Sequence, residues 1–421
     1  MEINVSILAN GLRVISVERP QTETVSVGIW VNTGSAYERI DNNGISHFLE
    51  HMVFKGTQKR NALQISEDIE NAGGSTNAYT SREFTVFYAK MLKNDLELAL
   101  DVLADMIMAP TFSENELSKE REVVVQEIKQ NFDDPNDIFY DYVQETTFQN
   151  QALGRSILGP ADKVRSFNAD TLLDYMSHNY AAENIVVCAV GNLQHELFTK
   201  MVEARMSALQ KNKSFVPDKQ IYTGGCFAKQ RDTEQSQVMM GFKSCNCHDD
   251  NRYPIALMSY VLGNGMSSRL FQEIREKRGL VYSVYSFNNS YTGSGVFGIY
   301  AGLDADEISN YIPVVADEIK RICNEPVSDA ELNRAKVQSK AGMLMSLESS
   351  SATAEMISRR HLLHNDNLPL EKIIEIIENI SKDDIMHAAQ LIFTEPLTYT
   401  LLGNIKTYPS YEKIQKMLPH K

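Results

Sequence analysis

His47 and His51 stand four residues apart in the stretch GISHFLEHMVFKG, and Glu50 directly precedes the second histidine. Each residue of an α-helix turns about 100°, so the two imidazoles share one face, a turn apart. Glu50 falls within an arc of roughly 100° that contains both rings. Two histidines so spaced can hold one Zn2+ through nitrogen bonds of about 2.0–2.1 Å. A carboxylate flanking them can take a proton from water without being a ligand itself. Nothing in this geometry depends on reading direction, so H-x-x-E-H can do what H-E-x-x-H does. The competing reading is a chance match on the polar face of a surface helix. Against it, Phe48, Leu49, Met52, Val53 and Phe54 surround the trio and leave little of the helix for solvent. The polar residues are therefore expected to face an internal cleft.

A catalytic zinc usually has three protein ligands and an open fourth position. The helix expected over 113–132 is the best source of the third, since it carries Glu114, Glu116, Glu120, Glu122 and Glu127. Val123, Val124 and Ile128 interrupt its acidic run, so part of it is expected to be buried. A buried carboxylate needs a cation or hydrogen bonds. Glu120 and Glu127 lie seven apart on one face. Glu127 as a ligand, with Glu120 supporting one, would meet that need.

The elements that must position these residues form an α+β set. Residues 23–33 alternate like a half-buried strand, ahead of the motif helix at 44–55. Asn42 or Asn43 can cap that helix and Gly56 can end it. A helix over 62–74, strand pieces within 75–92, an apolar helix over 96–110 and a buried strand at 183–193 complete the first half. A polar linker at 207–220 separates it from a similar order of elements. Val-Gly-Asn-Leu at 190–193 and Leu-Gly-Asn-Ile at 402–405 close the two halves alike. Two copies of one unit are expected, divided into 1–212 and 213–421. Each should be a mostly antiparallel sheet covered by helices.

The same stretches resemble the pitrilysin-family (inverzincin) zinc metallopeptidases, in particular the mitochondrial processing peptidase β-subunit and its bacterial homologues. The resemblance spans essentially the whole chain and is densest at GISHFLEHMVFKGT. It implies zinc ligands His47, His51 and Glu127, a general base at Glu50 and a supporting Glu120. It also implies that Asn77, Ala78 and Tyr79 in NAYTSREFTVFYAK pin the peptide backbone by adding it to an edge strand. Asp137 and Asp141, one helical turn apart in DIFYD, would receive an arginine of the substrate. Arg275 and Tyr282 in IREKRGLVYSV would contact substrate and polarise the scissile carbonyl. One Zn2+ per chain and a fold forming half of a clamshell follow from the same likeness. The partners so implied are extended or unfolded peptides in a closed chamber, basic ones among them, and a second chain. Because this chain carries both the zinc motif and the Arg/Tyr pair, a homodimer is expected, with a heterodimer with a sister subunit as the other arrangement.

The 421 residues carry a net charge of −14, with no clustered basic surface of the kind nucleic acid needs. No apolar run reaches the length of a membrane span. The first residues read as a hairpin turning at Asn10–Gly11, not as a signal peptide. Five scattered cysteines fit reduced thiols in the cytoplasm. GNGMSSRLF is glycine-rich but lacks the G-K-[ST] of a phosphate loop. The reading is a zinc endopeptidase. A non-catalytic subunit of the same fold is the alternative from another class, and a zinc hydrolase of non-peptide substrates is a third.

Overall fold

The computed structural model describes residues 2–211, 219–364 and 368–419. These form two compact units. In the first, β1 (Asn4–Ile7), β2 (Arg13–Glu18), β3 (Thr24–Val31), β4 (Ser75–Thr80), β5 (Thr85–Leu92) and β6 (Ile185–Gly191) make one sheet. Its order is β1-β2-β6-β3-β5-β4. Every pair is antiparallel except β2 with β6. In the second, β7 (Gly225–Gln230), β8 (Ser236–Ser244), β9 (Ser283–Ser290), β10 (Gly295–Leu303) and β11 (Leu397–Gly403) are ordered β7-β11-β8-β10-β9. Here too one pair, β7 with β11, is parallel and the rest are antiparallel. Leaving aside β1, both sheets place their strands first, fifth, second, fourth, third. The expected duplication is thus visible as one topology used twice.

The first sheet buries both faces. On β3, Val25, Val27, Ile29 and Val31 point to one side. There they meet α1 (Ile45–Val53), α2 (Ala62–Glu70), α3 (Leu96–Met108) and the helix His195–Met206. Trp30 of the same strand points the other way, with Ile15, Val86 and Cys188. That second face is covered by Ala354, Ile357 and Leu362 of the helix Ser350–His364. Alternation of side chains along a strand makes this two-faced burial possible.

The second unit shows the reciprocal arrangement. Phe139 and Val143 of α5 (Pro135–Thr147) pack on Met239 and Leu402 of its sheet. α5 follows α4 (Glu114–Asp133), and the chain passes from the first unit to the second at Gln130–Asn131 and returns at Gly154–Arg155. The cut expected between residues 212 and 213 lies outside the described residues. Two consecutive halves do not describe the units, because each takes a helix from the other half of the sequence. No helix among the described residues is long and apolar enough to cross a membrane.

Candidate metal centre

α1 begins at Gly44, whose φ of +96° suits glycine. A β-carbon there would also come within 2.6 Å of the Leu158 carbonyl oxygen. Neither Asn42 nor Asn43 caps the helix. The buried carboxylate of Glu38 does so from outside, accepting from the Gly44 and Ser46 backbone N–H groups and from the Asn43 amide, each at 2.8 Å. A charge placed on several free N–H groups of a helix start replaces the usual side-chain cap. Burial pushes the Glu38 carboxyl up, and those hydrogen bonds oppose it. The helix is then anchored by Phe48, Leu49, Met52 and Val53, all fully buried.

The opposite side of α1 carries His47, Glu50 and His51. α4 runs past it and supplies two carboxylates. Leu117, Val124 and Val125 bury one side of α4. His47 Nε2 lies 3.5 Å from Glu127 Oε1, and His51 Nε2 lies 3.6 Å from Glu127 Oε2. One ligand atom from each of the three residues fits within 4.8 Å of the others. Ligands about 2.0–2.1 Å from a tetrahedral ion stand about 3.4 Å apart, so the two histidine–Glu127 distances are close to those of side chains that share a zinc ion.

Glu120 is 3 % exposed and buried behind His51. His51 Nδ1 lies 2.8 Å from Glu120 Oε1, and Lys55 Nζ reaches Glu120 Oε2 at 2.7 Å. Burial raises the Glu120 carboxyl, but these two partners outweigh it and hold it below its ordinary range. Placing the His51 proton on Nδ1 leaves Nε2 with a lone pair directed at the cluster. The three carboxylates around His51 raise its affinity for a proton despite burial. They therefore favour positive charge at this point of the fold, whether proton or metal. The His47 ring beside it keeps the Glu127 carboxyl below its ordinary range.

Glu50 does not touch the other carboxylates. Its Oε2 accepts from the Thr80 hydroxyl at 2.6 Å. Thr80 ends β4, the edge strand of the first sheet, which pairs only with β5 among the described residues. Asn77 and Ala78 lie on this strand with Tyr79. The Asn77 amide oxygen accepts the Ala78 N–H at 2.8 Å. Tyr79 turns its side chain away to Glu355 on the helix Ser350–His364. What Tyr79 can offer a bound peptide is therefore its backbone.

The remaining expected residues lie in the second unit. Asp137 and Asp141 sit on α5, Asp137 exposed and Asp141 half-buried. Arg275 lies on a wide helical turn, Phe271–Glu276, with its guanidinium 5.0 Å from the Phe271 ring centre. The sequence spacing predicts an ordinary helix there. Tyr282 is half exposed and its hydroxyl reaches Asp304 at 3.4 Å. Glu38, Lys55 and Thr80 were not anticipated. Lys55 had a signal, standing one turn beyond His51, whereas Glu38 and Thr80 reach α1 only through the fold.

Comparison with known proteins gives the family of the chain. Residues 13–161 match the model for insulinase, peptidase family M16, and residues 166–339 match the model for the peptidase M16 inactive domain. H-x-x-E-H occurs once in the chain, inside the first match. The chain is 36 % identical to an uncharacterized zinc protease, YmxG, of Bacillus subtilis, covering 95 % of this chain and 98 % of that one. It is 38 % identical to an uncharacterized zinc protease of Rickettsia felis, covering 95 % and 97 %. With the mitochondrial-processing peptidase subunit beta of Saccharomyces cerevisiae it shares 32 % identity over 98 % of this chain and 93 % of that one. A crystal structure of a protease from Helicobacter pylori superposes with a TM-score of 0.89 at 23 % identity, covering 96 % and 99 %, and so has the same fold. By its length-wide identity to these relatives, this chain belongs to peptidase family M16.

Proposed function

We propose that the chain is a zinc-dependent endopeptidase that cleaves extended or unfolded peptides. The observation that carries this reading is the convergence of His47, His51 and Glu127 within 4.8 Å, at a helix whose Glu50 is tied to an open sheet edge. A zinc ion held by these three side chains would act as a Lewis acid toward water and the scissile carbonyl. The protein's own groups do the rest. Glu120 and Lys55 fix the His51 ring. The free edge of β4 receives the peptide as an added strand, with the backbone of Asn77, Ala78 and Tyr79 as its ladder partners. Glu50, oriented by Thr80, takes a proton from the attacking water and delivers it to the leaving amine nitrogen. Arg275 and Tyr282 are proposed to contact substrate from the second unit, and Asp137 and Asp141 to receive a basic side chain. We further propose that two copies of the chain enclose the substrate in a chamber, in the cytoplasm. The five free cysteines are consistent with a reducing compartment.

Metal analysis and cleavage of an arginine-containing extended peptide test the reading together. About one zinc per chain is expected. Glu50→Gln should keep the zinc and lose roughly 10²- to 10⁴-fold in turnover, the usual contribution of a general base. Pure protein without stoichiometric zinc, or a Glu50→Gln variant as fast as wild type, would refute it.

A further inference from the structure

The helix Ser350–His364 does more than cover the first sheet. Glu355, in its first half, is the meeting point of three side chains. Oε2 accepts the Trp30 indole N–H at 2.7 Å, and Oε1 accepts the Tyr79 hydroxyl at 2.5 Å. Arg359, one turn on, approaches Oε1 at 3.8 Å and lies over the Phe84 ring just before β5. Trp30 is seated by Gly28, where a β-carbon would come within 2.7 Å of the indole ring. Trp30 is thus a fixed post on a central strand, and Tyr79 is the side chain it is linked to on the edge strand.

An edge strand has one neighbour and is the part of a sheet most free to splay. Packing restrains Tyr79 only in part, since its side chain is half-buried against the core on this face. Its ring borders a cavity of about 400 Å³, lined also by Ser26, Val27, Trp30, Tyr88 and Glu355. Beside that partial packing, the bond to Glu355 fixes the outer end of the ring at the border of this open space. The next residue is Thr80, whose hydroxyl grips Glu50. A displacement of β4 at Tyr79 would therefore move both the peptide ladder and the base.

We infer that Glu355 is a positioning residue for peptide cleavage: by tying Tyr79 to Trp30 it fixes the edge strand on which the peptide is laid and, one residue further, the Thr80 contact that orients Glu50. This rests on the peptidase reading above. It assigns a role in the reaction to a residue that follows Glu127 by more than half the chain's length.

The test uses zinc-loaded full-length protein as wild type, Tyr79→Phe, Glu355→Ala and the double variant. Each is given an extended peptide of about ten residues, long enough to run along β4, and a peptide of about four residues that cannot. For the long peptide, each single variant is expected to raise KM and to lower kcat/KM roughly ten- to a hundredfold, the scale of a misplacement of about 1 Å. The double variant should lose no more than either single one, because both remove the same link. Zinc content should be unchanged, the short peptide should be affected less than the long one, and Glu355→Asp should recover part of the loss. Tyr79→Phe with wild-type KM and kcat on the long peptide overturns the inference. So do equal losses on both peptides, which mark general loosening. If Glu355→Ala does not fold, Tyr79→Phe, which removes one hydroxyl, decides alone. A wild type that holds zinc and cleaves neither peptide overturns the peptidase reading, and this inference with it.

Discussion

At the scale of single residues, the site is a contest between burial and charge, and Glu120 shows how it is settled. A carboxylate 3 % exposed is costly unless each oxygen has a partner. Here one oxygen meets His51 and the other Lys55. Glu120→Gln keeps the shape, removes the charge and turns an acceptor toward a mixed amide. Zinc affinity is expected to fall about 10- to 100-fold, the usual cost of losing a group that orients a ligand. Chelator competition measures it, and an unchanged affinity would leave Glu120 as packing alone. Most of this constellation could be read in the sequence, since helical spacing alone aligned His47 with His51 and Glu120 with Glu127. Glu38 and Thr80 could not. Each is joined to α1 by a bond that exists only after loops and strands have folded back on the helix.

At the scale of elements, caps and pairings decide where helices start. The helix Asp329–Ser346 begins with a reciprocal pair, Ser328 N–H to Glu331 at 2.8 Å and Glu331 N–H to Ser328 at 3.2 Å. Glu331 also takes Arg269 in a two-pronged grip at 2.7 and 3.1 Å. Burial raises the Glu331 carboxyl, but the bonds from Arg269 and Ser328 win and bring it down to about 2. An unfolded glutamate titrates near 4.3, so the stabilisation is complete above about pH 4.3 and is lost as pH falls toward about 2. Glu331→Gln should therefore destabilise the protein by about 2 kcal/mol at neutral pH. The gap to wild type should close in acid. Denaturant midpoints at several pH values check this, and a gap that widens in acid contradicts it. The Ser-x-x-Glu spacing of this cap is visible in the sequence. The Arg269 partner is not, because a pairing across 62 positions depends on the tertiary fold.

At the scale of the whole molecule, the sequence reading recovered the repeat but not the exchange. Matching Gly-Asn pairs at the ends of β6 and β11 point to duplication, and both sheets share one strand order. Nothing in the amphipathic pattern of Pro135–Thr147 or Ser350–His364 says which sheet each will cover. An apolar stripe specifies that a face is wanted, not whose. The exchange makes a firm prediction for fragments. Residues 1–211 alone leave Trp30, Val86, Val186 and Cys188 without their covering helix, and should bind a hydrophobic dye and aggregate. Appending residues 345–364 through a flexible linker should suppress both. A first-half fragment that is monomeric and does not bind the dye would show that the sheet does not need that helix. The exchange also has a consequence in time. During synthesis β6 is finished at Gly191, while residues 192–349 must still be made before Ser350 emerges. At ribosomal speeds of about 5–20 residues per second, one face of the nascent sheet stays bare for on the order of ten seconds. That interval is long enough for a holdase to bind it, so the yield of native protein should depend on chaperone supply more steeply than its final stability does.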